Sequence, residues 1–219
     1  YLTHQILDSK ELEILTKELN KEDLSWEDGK KTAGKHAAKE KNNLQLRRES
    51  DLSQKFSALI IKKILSNDLI KSFALPKKIH GTIFSKSKSG MKYGRHIDNA
   101  YMSSGRADLS FTIFLSCKDN YEGGALSIES FNSEKKFKLD AGEIIIYPST
   151  YLHSVDEVIA GERLVFIGWI ESYVKSIEER EYLFDLDAAA RSLLNKYGRS
   201  EEVDLIFKSY SNLLRRLGG

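Results

Sequence analysis

The chain has 219 residues, 41% hydrophobic and 30% charged, enough for one sizeable domain or a domain with a small appendage, in proportions ordinary for a soluble globular protein. A formal net charge of +2 gives no electrostatic case for a nucleic-acid partner, and the basic stretch from Lys35 to Arg48, interrupted by Glu40, reads as a solvated loop. Cys117 is the only cysteine, which excludes an intramolecular disulfide. There is no apolar run of about 18 residues, and Asp8, Glu11 and Glu13 stand where a signal peptide would be apolar, so the expected location is cytoplasmic, with no membrane partner.

In chain order, Ser9 to Leu19 carries Leu12, Leu15 and Leu19 at helical steps, with Asp8 as N-cap and Glu11 placed to reach back to it. Trp26 to Asn43 is polar and glycine-bearing, and reads as irregular or short-stranded. Asp51 to Phe73 reads as one helix, with Phe56, Leu59, Ile60, Ile64 and Leu65 as its apolar stripe, capped by Ser50 or Asp51 and stopped at Leu75-Pro76. From Ile79 the character changes to strand. Leu109–Leu115, Ala125–Ile128, Phe137–Leu139, Gly142–Tyr147 and Leu164–Ile170 are rich in β-branched, aliphatic and aromatic residues, and are separated by short turns such as Gly123-Gly124, Asn132-Ser133 and Asp140-Ala141-Gly142. Closely spaced strands of this kind predict an antiparallel sandwich or jelly roll. Cys117 closes the first of these runs and reads as a buried, inert thiol. After Ser172 the pattern returns to helix in three segments, around Ile177–Leu186, Ala188–Tyr197 and Val203–Leu217, with a structural or dimerising role.

Of the five histidines, only His96 has a carboxylate two residues on, in His96-Ile97-Asp98. Residues i and i+2 of a strand share a face, so both side chains can reach one metal ion. A third ligand must come from elsewhere, and His153, following the apolar run Ile144–Pro148, can project from a neighbouring strand or loop. Two imidazoles and one carboxylate leave coordination positions open, the facial arrangement suited to non-haem Fe(II). Taken alone, His-x-Asp is a weak signal. Ten residues after His153, Arg163 opens the apolar strand Leu164–Trp169 and needs an anionic partner or a way to stay wet. That partner is either a bound carboxylate clamped by the planar guanidinium or a protein acid such as Glu162 or Glu143. Asn43 and Gln45 are candidates for substrate contact or for a polar turn.

Many short motifs, in order along nearly the whole chain, resemble the PKHD-type hydroxylases, a bacterial branch of the prolyl-4-hydroxylase-like 2-oxoglutarate oxygenases. They include Trp26-Glu27-Asp28-Gly29-Lys30, Thr32-Ala33-Gly34, Lys41-Asn42-Asn43-Leu44-Gln45, Tyr93-Gly94-Arg95-His96-Ile97-Asp98, Asp108-Leu109-Ser110, Tyr121-Glu122-Gly123-Gly124, Leu152-His153 and Tyr197-Gly198-Arg199-Ser200. The resemblance implies an α+β fold with a mainly β core, a double-stranded β-helix (jelly roll). The oxygenase domain would cover residues 1–171, with helices at 9–19 and 51–73 and a core from about 79 to 171, followed by a helical extension over 172–219. It implies Fe(II) on His96, Asp98 and His153, 2-oxoglutarate on Arg163, and L-ascorbate as a reductant. Tyr93 would line the co-substrate pocket, with aromatic packing as the alternative. The partners implied are 2-oxoglutarate, O2 and a peptidyl or small-molecule substrate, with a homodimer through the helical tail; some members are linked to iron uptake. The wider group often shows Tyr-x-x-Gly-x-x-Tyr-x-x-His-x-Asp, and here Ser87 replaces the first tyrosine. The competing functions are an iron- or 2-oxoglutarate-sensing protein without turnover, a nucleic-acid demethylase and a metal-free jelly-roll binding protein. The demethylase reading is disfavoured because no second arginine follows Arg163 along Leu164–Ile170.

Overall fold

A computed structural model describes residues 1–21, 24–32, 37–130 and 133–219. Ala33, Gly34 and His36, with Lys35 of the basic stretch and Asn132 of one expected turn, lie outside them. The chain opens with β1 (Leu2–Gln5) and α1 (Ser9–Leu19), followed by β2 (Trp26–Asp28), two 3-10 turns, β3 (Lys41–Asn42) and β4 (Leu44–Leu46). Helices α2 (Asp51–Ser66) and α3 (Asp68–Ala74) lead into β5 (Pro76–Lys88), β6 (Lys92–His96), β7 (Tyr101–Met102), β8 (Gly105–Arg106) and β9 (Leu109–Phe114). Next come β10 (Tyr121–Gly123), β11 (Leu126–Ser130), β12 (Ser133–Phe137), β13 (Glu143–Pro148), β14 (Leu152–Val155) and β15 (Val158–Ser172), and the chain ends in α4 (Ile177–Tyr197) and α5 (Glu201–Leu217).

Among the described residues the strands form two main antiparallel sheets. The larger runs β1-β13-β9-β15-β5-β4-β2, with β10 added beside β15, and the smaller runs β12-β11-β14-β6-β3. The two-residue period of a strand divides the larger sheet into two chemically different faces. Ile144, Ile146, Phe84, Leu164, Phe166, Phe111 and Ile113 belong to one buried cluster with Leu15 and Leu19 of α1 and Ile60, Ile64 and Ile70 of α2 and α3. Their neighbours Ile145, Tyr147, Val165 and Phe114 belong to a second cluster with Leu126 and Ile128 of the smaller sheet. The helices therefore cover the back of the larger sheet, and its front faces the smaller sheet across the jelly roll.

Asp8 and Glu11 form a reciprocal capping box at the start of α1, and the Ser50 side chain caps α2. The expected single helix to Phe73 is instead broken at Asn67, whose side chain accepts from Ile70 N at 3.0 Å and starts α3. The opposite holds in the tail, where the two segments expected on either side of Asp187 are one continuous helix, α4. Phe137 ends β12 rather than beginning a strand, and Cys117 is half-buried rather than buried. The tail packs back through Leu183 against Leu75 and Val174, with Tyr210, Leu214 and Leu217 of α5 beside them. No helix among the described residues is long and apolar enough to cross a membrane.

Candidate active site

On the front face of the larger sheet, one end lacks the apolar filling found elsewhere. Ser85 and Ser87 of β5, Ser110 and Thr112 of β9, and Arg163 and Trp169 of β15 line a cleft of about 1160 Å3 there. Small hydroxyl side chains at these alternate positions leave open the space that leucines would fill. The opposite wall comes from the smaller sheet, where β14 and β6 pair with His153 opposite His96. Four residues of β6, from Tyr93 to His96, oppose only three of β14, from His153 to Val155, so a bulge falls between them. The bulge turns Tyr93 and His96 to the same side, and their rings stack with centroids 3.7 Å apart. Gly94 lies within the bulge, and a Cβ there would come within 2.7 Å of the Glu40 side chain.

His96 is the last residue of β6, so Asp98 lies in the loop beyond it rather than on the strand expected from the i, i+2 spacing. Even so, one ligand atom from each of His96, Asp98 and His153 falls within 4.8 Å of the others, and His153 Nε2 is 3.7 Å from Asp98 Oδ2. The surrounding hydrogen bonds orient all three side chains. His96 Nδ1 is 2.7 Å from Gly94 O and His153 Nδ1 is 3.0 Å from Tyr151 O, an arrangement that puts the proton on Nδ1 and leaves the Nε2 lone pair free. Ser110 Oγ donates to Asp98 Oδ2 at 2.6 Å and lies 2.8 Å from Ser149 Oγ. Burial, and then the neighbouring His153, pulls the His96 imidazole down to about 4, so at neutral pH it has the neutral form that metal binding needs. Two neutral imidazoles and a carboxylate suit Fe(II) with open coordination positions.

Arg163 lies deeper in the same cleft and is only 3% exposed. Neither acid considered as its partner reaches it. Glu162 pairs with Lys86 at 3.0 Å, Glu143 accepts from Asp140 N, and among the described residues Arg163 makes no ion pair. Its Nε and the Tyr121 hydroxyl are both buried without a hydrogen-bond partner, and the guanidinium carbon is 5.5 Å from the Phe114 ring centre. Burial lowers the Arg163 pKa. A buried guanidinium without an anion is costly, and a carboxylate entering the cleft would relieve that cost. Ser87 is the cross-strand partner of Arg163, so the residue that replaces the group's usual tyrosine lines the cleft directly across from Arg163 on the neighbouring strand. Gly124, at φ +64°, passes so close that a Cβ would lie 3.0 Å from Arg163 Cδ.

Tyr93 lines the cleft, and burial followed by Asp98 raises its phenol pKa. Asn43 also lines it, donating to Ser85 Oγ at 2.6 Å with its own Oδ1 unpartnered, whereas Gln45 receives the Thr32 hydroxyl at 2.6 Å. Lys41 departs from the solvated loop expected of its basic stretch: it is 5% exposed and faces the cleft. Sequence reasoning missed Lys41, Ser110 and Trp169 as cleft residues. Ser110 stood inside a recognised motif, and the Ser110–Thr112 alternation in an apolar strand was a usable signal. Of the other described histidines, His4 lies on β1 and His80 is held by Ser104 Oγ and Arg106 O.

The fold and this donor set define a class, the Fe(II)/2-oxoglutarate oxygenases, and residues 82–171 match the model of the 2OG-Fe(II) oxygenase superfamily. Residues 178–218 match the PKHD-type hydroxylase C-terminal domain. The chain is 75% identical over 218 residues to a PKHD-type hydroxylase of Prochlorococcus marinus strain MIT 9215, and 71% identical to one of strain MIT 9312, each match covering 100% of this chain and 99% of the relative. It belongs to the PKHD-type hydroxylase family, as an enzyme that uses Fe(II) and 2-oxoglutarate. Two solved structures share the fold. One is a Pseudomonas putida prolyl-4-hydroxylase, at TM-score 0.57 and 17% identity over 78% of this chain and 91% of that one. The other is HygX from Streptomyces hygroscopicus with nickel and 2-oxoglutarate bound, at TM-score 0.54 and 13% identity over 80% of this chain and 84% of that one.

Proposed function

We propose that the enzyme hydroxylates a C–H bond of its substrate, R–H + O2 + 2-oxoglutarate giving R–OH + succinate + CO2, with Fe(II) on His96, Asp98 and His153 and the distal carboxylate of 2-oxoglutarate on Arg163. The observation that carries this reading is the buried Arg163 guanidinium, without an ion-pair partner among the described residues, in the same cleft as the three converging ligand atoms. The residues divide the work. Arg163 neutralises and orients the co-substrate, with the Tyr121 hydroxyl free to donate a further hydrogen bond. Ser110 holds the Asp98 carboxylate, and the carbonyls of Gly94 and Tyr151 fix the two imidazole rings. Tyr93, stacked on His96, keeps water off one side of that ring. Bound Fe(II) would supply the O2 chemistry that the side chains lack. L-ascorbate would serve as the external reductant that keeps it ferrous.

Anaerobic calorimetry of 2-oxoglutarate binding tests this assignment. Fe(II)-loaded wild type should bind one equivalent, and His96→Ala should lose both metal and co-substrate. Binding of 2-oxoglutarate that is indifferent to His96 and to metal would sink it.

A further inference from the structure

The cleft holds more positive charge than metal and co-substrate binding require. Lys41 Nζ makes one hydrogen bond, to Thr32 Oγ1 at 3.1 Å, and stands 4.9 Å from the centre of the Tyr93 ring. No carboxylate comes within 4.0 Å of it among the described residues, although the side chain is almost wholly buried. Arg48, on the same cleft, is exposed and donates only to Gly81 O, at 3.2 Å, again with no ion pair among the described residues. Two other cations of the cleft are neutralised: Lys31 pairs with Glu27 at 3.1 Å, and Arg95 makes a two-pronged bridge to Glu129 at 2.5 and 2.6 Å, while Lys39 is exposed to solvent. Burial, and then Arg48, brings the Lys41 amine down to about 8, with Asp98 and Asp28 opposing the shift. A buried ammonium without a bound carboxylate is unfavourable, and an ammonium and a planar guanidinium that line one cleft suit an anionic ligand.

Location gives this pair its role. Lys41 is the cross-strand partner of Tyr93, whose ring stacks on His96, so an anion at Lys41 sits one aromatic ring away from the ligand triad. Arg163 is on a different strand, opposite Ser87. We propose that the substrate carries a carboxylate, recognised by Lys41, beside β6, and by Arg48, at the end of the cleft near Gly81, and separate from the carboxylate of 2-oxoglutarate on Arg163. This rests on the hydroxylase reading above and adds the chemical class of its substrate. The carboxylate can belong to a small acid or to an acidic side chain of a peptide.

The test uses the full chain loaded with Mn(II) and saturated with 2-oxoglutarate, and reads binding by calorimetry without turnover. Two probe pairs differ by one charge each: glutaramate against glutaramide, and acetyl-Gly-Glu-Gly-amide against acetyl-Gly-Gln-Gly-amide. In wild type the charged member of at least one pair should bind about tenfold more tightly, and the responding pair tells a small acid from a peptide. In Lys41→Gln/Arg48→Gln that preference should disappear while 2-oxoglutarate affinity is unchanged. Arg48→Gln alone, at an exposed position that does not threaten folding, should lose part of it. Absence of a charge preference in wild type, its survival in the double variant, or a fall in 2-oxoglutarate affinity in that variant would each overturn the proposal. Failure of Mn(II) and 2-oxoglutarate to bind in a His96-dependent way would instead remove the hydroxylase reading beneath it.

Discussion

Removing the Arg163 guanidinium strips the cleft of the cation assigned to the co-substrate. Arg163→Ala is expected to weaken 2-oxoglutarate binding by about 2–4 kcal/mol, on the order of 30- to 800-fold, with metal content unchanged in anaerobic calorimetry. Unchanged affinity would exclude Arg163 from the site. Lys41 gives a stability prediction with a definite sign. Its amine titrates near 8 in the folded protein against an ordinary value of 10.5, so between these limits the unfolded chain keeps a proton that the folded chain has lost. Wild-type stability therefore rises with pH across that window, and the full cost of the buried charge is present below it. Lys41→Met should be more stable than wild type in urea melts at pH 7, by on the order of 1–3 kcal/mol, and the gain should vanish above pH 10.5. A gain independent of pH would contradict burial of the charge as its cause. The sequence showed His96, Asp98, His153 and Arg163 through spacing, strand position and resemblance. It did not show Lys41, because a lysine in a basic stretch looks solvated until the β3–β6 pairing encloses it. That pairing is a non-local event with no local signature.

At the scale of elements, two helix boundaries went against periodicity for the same physical reason, the partners available to a polar side chain. The apolar stripe of Phe56, Leu59, Ile60, Ile64 and Leu65 meets no glycine or proline before Leu75-Pro76, so residues 51–73 read as one helix. Asn67 instead turns its side chain to the backbone of Ile70 and caps a second helix. In the tail Asp187 does not interrupt the helix, because Ser72 and Arg191 donate to its buried carboxylate at 2.7 and 2.8 Å and tie α4 to α3. Asn67→Ala should lower stability by about 1 kcal/mol in thermal or urea unfolding, through loss of the cap, with 2-oxoglutarate affinity unchanged. A loss of co-substrate affinity would mean that the α2–α3 junction acts on the cleft. The strands were easier to read, since alternation such as Leu109-Ser110-Phe111-Thr112-Ile113 divides a helix-covered face from a cleft face.

Over the whole molecule, the jelly roll brings together residues that lie far apart in the chain. Lys41 comes from the N-terminal third, His96 and Asp98 from β6 and its loop, His153 from β14 and Arg163 from β15, and all of them line one cleft. The sheet assigned to catalysis is backed by helices that keep its apolar face dry, while small hydroxyl residues keep its front open. The most direct test loads the protein with Fe(II) without oxygen, adds 2-oxoglutarate, admits O2 with and without L-ascorbate, and measures succinate in wild type and in His96→Ala. Succinate from wild type, sustained by ascorbate and absent from the variant, is the expected result. Equal succinate from both proteins, or failure of wild type to bind iron and 2-oxoglutarate, would contradict the assignment of His96, Asp98, His153 and Arg163 as the oxygenase site.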